Sequence, residues 1–215
     1  RFEPVLALTF KSGDLRRALT LADRAAPAAL PFNGSASLAR DGNHLVFDKL
    51  AFSLAGSKGA GRLVFPLGET SPFGGQLSFD RISAAQLVSL AIGRANTGDA
   101  ALSVPVLSNF PGTLKVEAAS LQLTERLVLE KAALDLRAGR SEFVFDNIRG
   151  ELGGGKLAAT LRISDTSPRV VDLKLELAGV ALARLLPTKA VRGTLQTSLT
   201  LSASGDTQDR LLESI

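Results

Sequence analysis

The chain has 215 residues, 45% of them hydrophobic, with 25 basic and 21 acidic residues for a formal net charge of +4. That length and apolar content support a buried core and exclude a disordered tail, while charges spread without a like-sign run argue against nucleic-acid binding despite a pI near 9.8. All 11 aromatic residues are Phe, which removes the Tyr and Trp on which single strands stack, and the absence of Cys excludes disulfides, thiolate metal sites and a Cys nucleophile.

No window approaches about eighteen uninterrupted apolar residues, and the N-terminus is not a signal peptide. The chain begins at Arg1, contains no Met and stops at Leu-Glu-Ser-Ile, so it reads as a segment of something longer.

In chain order, Asp14–Ala26 places Leu15, Ala18, Leu19, Ala22 and Ala25 on one helical stripe that stops at Pro27. Leu45–Leu54 (LVFDKLAFSL) then alternates with period two, the signature of a strand, but slips by one residue at Asp48-Lys49. GSKGAGRLVF follows, which reads as a tight turn and a return strand. A partial copy of the slipping strand, LSFDRI, runs from Leu77 to Ile82. Ser83–Ile92 has helical spacing, a capping Ser at its start and Gly93 at its end. From Gly93 to Gly112, GRANTGDAALSVPVLSNFPG is the one long irregular connection.

Beyond it, TLKVEA opens a second run of strands. Leu127–Leu136 (LVLEKAALDL) and Phe143–Leu152 (FVFDNIRGEL) align without gaps to Leu45–Leu54, and in each copy the apolar spacing runs two, three, two, two. A slip of one residue would turn the second half of a flat strand inside out. A bulge or corner at the acid pair keeps one face apolar while the sheet curls. GGGKLAATLRI repeats the turn and return strand, VDLKLEL and GTLQTSLTLSASG alternate, and Val180–Leu186 and Thr207–Ile215 are short helical pieces.

The predicted fold is therefore mainly β: a curved, largely antiparallel repeated sheet forming an open groove, with a few short amphipathic capping helices. The chain divides into a first groove unit over 1–93, a connection over 94–112 and a second unit over 113–215.

Catalytic chemistry finds little support. GSKGAG lacks the GxxxxGK[ST] spacing and the following helix that a phosphate loop needs, so its glycines serve a turn. His44, the only histidine, sits in the turn-like ARDGNH, and no GxSxG is present. Asp48, Glu130 and Asp146 recur at one position of the repeat, which suits a structural corner. No enzyme activity, cofactor or metal is expected. A curled sheet with an apolar inner side must close, be plugged or hold something apolar. The lining so predicted is Leu45, Phe47, Leu50, Phe52, Leu54, Leu127, Leu129, Leu134, Leu136, Phe143, Phe145, Ile148 and Leu152. An ordinary sandwich core is the competing reading of the same periodicity.

The order FPGTLKVEAASLQL, LVLEKAALDLRAGRSEFVF, NIRGELGGGKLAATLRI, VDLKLELAGVALARLLP and VRGTLQTSLTLSASGDTQDRLLESI resembles the C-terminal region of bacterial AsmA-like proteins. FNGSASL, LVFDKLAFSLAGSKGAGRLVF and GGQLSFDRISAAQL are similar in style to the preceding repeat of that family. The resemblance implies a β-groove anchored in the inner membrane by a helix outside this segment and projecting into the periplasm. It also implies a bridge-type carrier of phospholipid toward the outer membrane. Phospholipid acyl chains and membranes are the implied partners, and nucleic acid is not. A second reading is a structural module supporting outer-membrane protein biogenesis, with outer-membrane or periplasmic proteins as partners.

Overall fold

The structure, a computed structural model, describes residues 5–12, 31–68, 72–87, 111–139, 141–164, 167–185 and 192–205. Eleven strands follow in order: β1 (Leu6–Ser12), β2 (Phe32–Asp41), β3 (His44–Leu54), β4 (Ser57–Pro66), β5 (Phe73–Ser83), β6 (Gly112–Gln122), β7 (Val128–Ala138), β8 (Glu142–Leu152), β9 (Gly155–Ser164), β10 (Val170–Ala181) and β11 (Thr194–Ser204). They form one mainly antiparallel sheet, not closed into a barrel, whose spatial order is the chain order.

The exception to antiparallel pairing is β5 beside β6, which run parallel from Phe73↔Gly112 to Ser83↔Gln122. A parallel neighbour cannot be reached by a tight turn. This is the pair that the long connection separates, so the units on either side of it share a single sheet. The connection 94–112 lies outside the described residues except for Pro111 and Gly112.

The hairpin turns carry their local chemistry. Ala55 and Gly56 both have positive φ (49° and 86°), as do Gly153 and Gly154 (57° and 84°), which matches the twist of two-residue hairpins. Leu54↔Ser57 and Leu152↔Gly155 close the two turns. Of GSKGAG only Gly56 belongs to the turn between β3 and β4; Gly59 and Gly61 are ladder residues of β4, which corrects the expectation that these glycines serve a turn.

The predicted slip is a bulge in all three full copies. Lys49, Lys131 and Asn147, each the residue after the acid, have φ of 49°, 51° and 51°. Phe47 to Leu50 spans three steps of β3 against two steps of β4, from Leu63 to Gly61. Phe145 to Ile148 in β8 stands against Leu161 to Ala159 in the same way. One extra residue per bulge restores the apolar phase, as the spacing requires.

The partial copy works differently. The buried residues step by three in β5 (Phe79, Ile82), β6 (Ala118, Leu121) and β7 (Leu129, Ala132) at one level of the sheet. Three neighbours slip together there, so their ladders stay in register and pass over Asp80, Ala119 and Lys131. Among the positive-φ residues of the described chain, β5 contributes none. Asp80 Oδ1 instead accepts the backbone N–H of Lys58 at 2.8 Å and of Arg81 at 2.6 Å, satisfying donors that the interrupted ladder leaves open.

Of the predicted helices, Asp14–Ala26 and Thr207–Ile215 lie outside the described residues. Residues 84–87 are helical behind Ser83, whose Oγ accepts the Gln86 N–H at 3.1 Å while Gln86 Oε1 accepts the Ser83 N–H at 2.9 Å. This reciprocal pair is a capping box. Residues 88–92 are outside the described set. Of the piece predicted over Val180–Leu186, Leu182–Leu185 is helical and Leu186 lies outside the described residues, while Val180 and Ala181 still pair with β11. Val180 is fully buried, and a further extra residue at Gly179 (φ 69°) turns it inward.

Candidate functional site

One face of the sheet is apolar from edge to edge. Leu8 of β1 pairs with Ala36 of β2, Phe10 with Gly34, and on the other side of β2 Gly34 pairs with Phe52 and Phe32 with Leu54 of β3. At the other edge Leu161 of β9, Leu173 of β10 and Leu201 of β11 form one cross-strand row. Side chains from β2 through β10 join in a single buried cluster, with Phe143 and Leu129 at zero exposure. With no second sheet among the described residues, one face is buried this way when the sheet curls over itself.

The aromatic contacts follow that curl. Phe10 stacks on Phe32 at 4.8 Å, Phe32 lies 5.9 Å from Phe52, and Phe52 meets Phe79 edge-on at 5.4 Å. Phe52 and Phe79 sit on β3 and β5, two strands apart. They meet because the intervening residue on β4, paired with both, is Gly59. A side chain at Gly59 would occupy the space of the Phe52 ring. A second series joins Phe47, Phe65 and Phe73 at 5.8 and 6.2 Å. Rings thus fill the first unit's face, while aliphatic residues dominate the second from β9 to β11.

The predicted lining residues can be placed individually. Leu50, Phe52, Leu54, Leu129, Leu134, Leu136, Phe143, Phe145 and Leu152 are buried in the cluster. Phe47, Leu127 and Ile148 are half-buried against it. Leu45 is the exception: it pairs with Phe65 near the far end of β3 and stands outside the cluster. Its strand end lies beside the turn at Gly42, which leaves it fewer covering neighbours. His44 is the first residue of β3 and half-buried, which corrects its placement in the turn-like ARDGNH.

Reading the full copies alone missed Phe79, Ile82, Val116, Leu121 and Leu157, which belong to the same buried cluster. TLKVEA carried the signal for Val116 as plain alternation, and LSFDRI that for Phe79 and Ile82 as a partial copy of the slip. The slip in β6, and its alignment at one level with those of β5 and β7, follow only from the pairing of the three strands.

The outer face carries the charges. Each bulge acid or its neighbour is paired across strands: Arg62 Nε lies 3.2 Å from Asp48 Oδ1, Lys131 Nζ 2.8 Å from Glu151 Oε1, and Arg137 pairs with Asp146. Asn147 Nδ2 donates to Asp135 Oδ2 at 2.7 Å. The recurring acids Asp48 and Asp146 therefore tie bulges to adjacent strands, as expected of corner residues. The N–H of Arg81, then that of Lys58, holds the Asp80 carboxyl below its ordinary value, and the hydrogen bond to Glu151 raises Lys131. No group of three metal-ligating residues occurs among the described residues.

The ends of the apolar face differ. Ser83 and Ala181, where the two helical turns begin, lie at the same end of the sheet as the turns after Leu54 and Leu152. Leu87 and Leu185 from those helical turns pack against the buried cluster. This end is capped by apolar side chains, whereas across the sheet the face fades from full burial at β7 and β8 to half-exposed leucines on β10 and β11. Leu199 is 41% exposed and Leu6, on β1, 57%.

Comparison with family models, curated proteins and solved structures finds no match to the chain. What the chain offers chemically must be read from the face itself.

Proposed function

We propose that this chain is a non-enzymatic lipid-binding segment whose apolar face shelters phospholipid acyl chains, with headgroups left at the watery margin. The observation that carries the reading is an unclosed sheet whose single apolar face runs out at both edges into incompletely covered leucines. An acyl chain laid on those leucines gains about 0.8 kcal/mol per buried methylene. Aliphatic and Phe side chains make few directional bonds, so the same surface lets a chain slide.

With the AsmA-like resemblance, the reading extends to a bridge-type phospholipid carrier between inner and outer membranes, periplasmic and anchored by a segment outside these residues. The buried centre of the face is filled by its own side chains. The lipid contacts therefore fall on half-exposed neighbours such as Leu175, Leu177 and Leu195 rather than on Phe143 or Leu129. The test is extraction and mass spectrometry of lipid co-purified with the chain, with uptake of a fluorescent phospholipid as the second measurement. Absence of both rejects the proposal. The alternative, an assembly module acting on outer-membrane proteins, draws on β1 and β11 being the terminal strands of the sheet among the described residues. Protein crosslinks without lipid adducts would favour it.

A further inference from the structure

We propose that Arg40 receives the phosphate of a net-anionic phospholipid whose acyl chain lies over the half-buried stretch of β2, β3 and β4 before the bulge. This rests on the lipid reading above and adds the headgroup, its charge and its end of the groove. Arg40 is exposed and pairs in register with Leu45, as Leu38 does with Phe47. Phe47 packs against the buried cluster, so alternation puts Leu38 and Arg40 on the apolar face too. Among the charged residues of the eleven described strands, Arg40 alone has that phase; the others alternate outward or sit at a slip.

The guanidinium is positioned yet unpaired. Arg40 Nε donates to the Gly42 carbonyl at 2.9 Å, which holds the side chain over the turn between β2 and β3 and leaves both Nη groups open. Among the described residues no carboxylate forms an ion pair with it, and Asp41 follows in the opposite phase. Two parallel N–H groups of a guanidinium match two phosphate oxygens. A headgroup that also carries an ammonium sets a cation beside Arg40 with no acid to receive it. The site therefore favours a head of net negative charge.

Beside Arg40 the apolar face is only half covered. Leu38, Leu45, Phe47, Leu63 and Phe65 are half-buried, whereas Leu50, Phe52 and Leu54 beyond the bulge are buried. Leu38 and Leu45 stand outside the buried cluster altogether. From Leu45 to Leu50 an extended strand spans about 16 Å. That is close to half the roughly 30 Å hydrocarbon core of a bilayer, the depth that one layer of acyl chains fills. The helical turns carrying Leu87 and Leu185 cap the opposite end of the sheet, beyond Leu54. The acyl terminus therefore points toward the caps and the head toward the turn at Gly42.

The test compares uptake of phosphatidylglycerol and phosphatidylcholine that carry the same fluorescent acyl chain, each present as a trace in phosphatidylcholine vesicles. The native chain is expected to bind the phosphatidylglycerol roughly tenfold more tightly. Arg40→Met keeps the apolar stem and is expected to abolish that preference, while Arg40→Lys retains part of it. Raising salt from about 0.1 M to about 1 M is expected to shrink the preference, because the pair is exposed. Where Arg40→Met loses the β-type circular dichroism spectrum, Arg40→Gln gives the same readout. The chain has no Trp, so Leu45→Trp reports alone. Its emission is expected to be quenched by phosphatidylglycerol brominated on the acyl chain. Equal uptake of both lipids, a preference unmoved at Arg40, or an unquenched Trp in a chain that still takes up lipid overturns the headgroup site and leaves the lipid reading standing. Uptake of neither lipid by the native chain rejects both.

Discussion

The ring of Phe52 lies over the bare backbone of Gly59, its register partner on β4, and so reaches Phe79 on the strand beyond. The contact explains a glycine that the turn itself does not need. Gly56 has the positive φ of the hairpin, while Gly59 supplies space. Gly59→Val is expected to destabilise the chain by about 2 kcal/mol through overpacking, read as a lower denaturant midpoint with an unchanged slope. Gly56→Ala, with nothing within 4 Å of the added methyl, is expected to cost only the left-handed backbone strain, about 1 kcal/mol.

The bulge at Lys49 holds a non-glycine residue at φ 49°. Lys49→Gly relieves that strain and is expected to stabilise by up to about 1 kcal/mol, whereas Lys49→Val, β-branched, is expected to destabilise by more than 1 kcal/mol. Equal effects from the two substitutions, in the same unfolding measurement, would mean that the left-handed conformation is not what the bulge requires.

Burial separates the predicted lining residues. Phe143→Ala, at zero exposure, is expected to cost about 3 to 5 kcal/mol, and Leu45→Ala, outside the cluster, less than about 1 kcal/mol. Thermal and denaturant unfolding of the pair would measure the difference.

Lipid uptake should respond in the opposite order. Leu175→Glu, half-exposed on β10, is expected to reduce uptake of a fluorescent phospholipid several-fold while leaving the β-type circular dichroism spectrum intact. Phe52→Glu, in the ring stack, is expected to lose the fold before any uptake can be read. Undiminished uptake by Leu175→Glu would move the contact surface away from the β10 margin.

Acid stability should carry a contribution from Asp80. Its carboxyl titrates below the ordinary 3.8, chiefly because it accepts the Arg81 N–H. A lowered folded-state pKa adds stability that is fully present above the unfolded value and lost as pH falls through the folded one. The stability difference between the native chain and Asp80→Asn is therefore expected to be constant from pH 5 to 7 (~2 units) and to shrink below about pH 4. Lys131, raised by its bond to Glu151, acts in the other sense: its contribution is complete below 10.5 and disappears as pH rises through the folded value.

Periodicity and turn chemistry by themselves determined the strands from β3 to β11, a tight turn between β3 and β4 and the slip at Lys49, Lys131 and Asn147, because each depends on a few consecutive residues and one backbone conformation; they did not mark β1 and β2. Of the thirteen residues predicted to line the apolar face, twelve lie in or against the buried cluster. Only the tertiary structure decided how deeply each is covered. Burial of Phe143 depends on strands brought over it by the curl, and exposure of Leu199 on β11 having no further strand beside it among the described residues. The contact of Phe52 with Phe79 likewise needs three strands at once, with Gly59 between them. Alternation assigns a residue to a face; distances between non-adjacent strands decide whether that face is core, groove or edge.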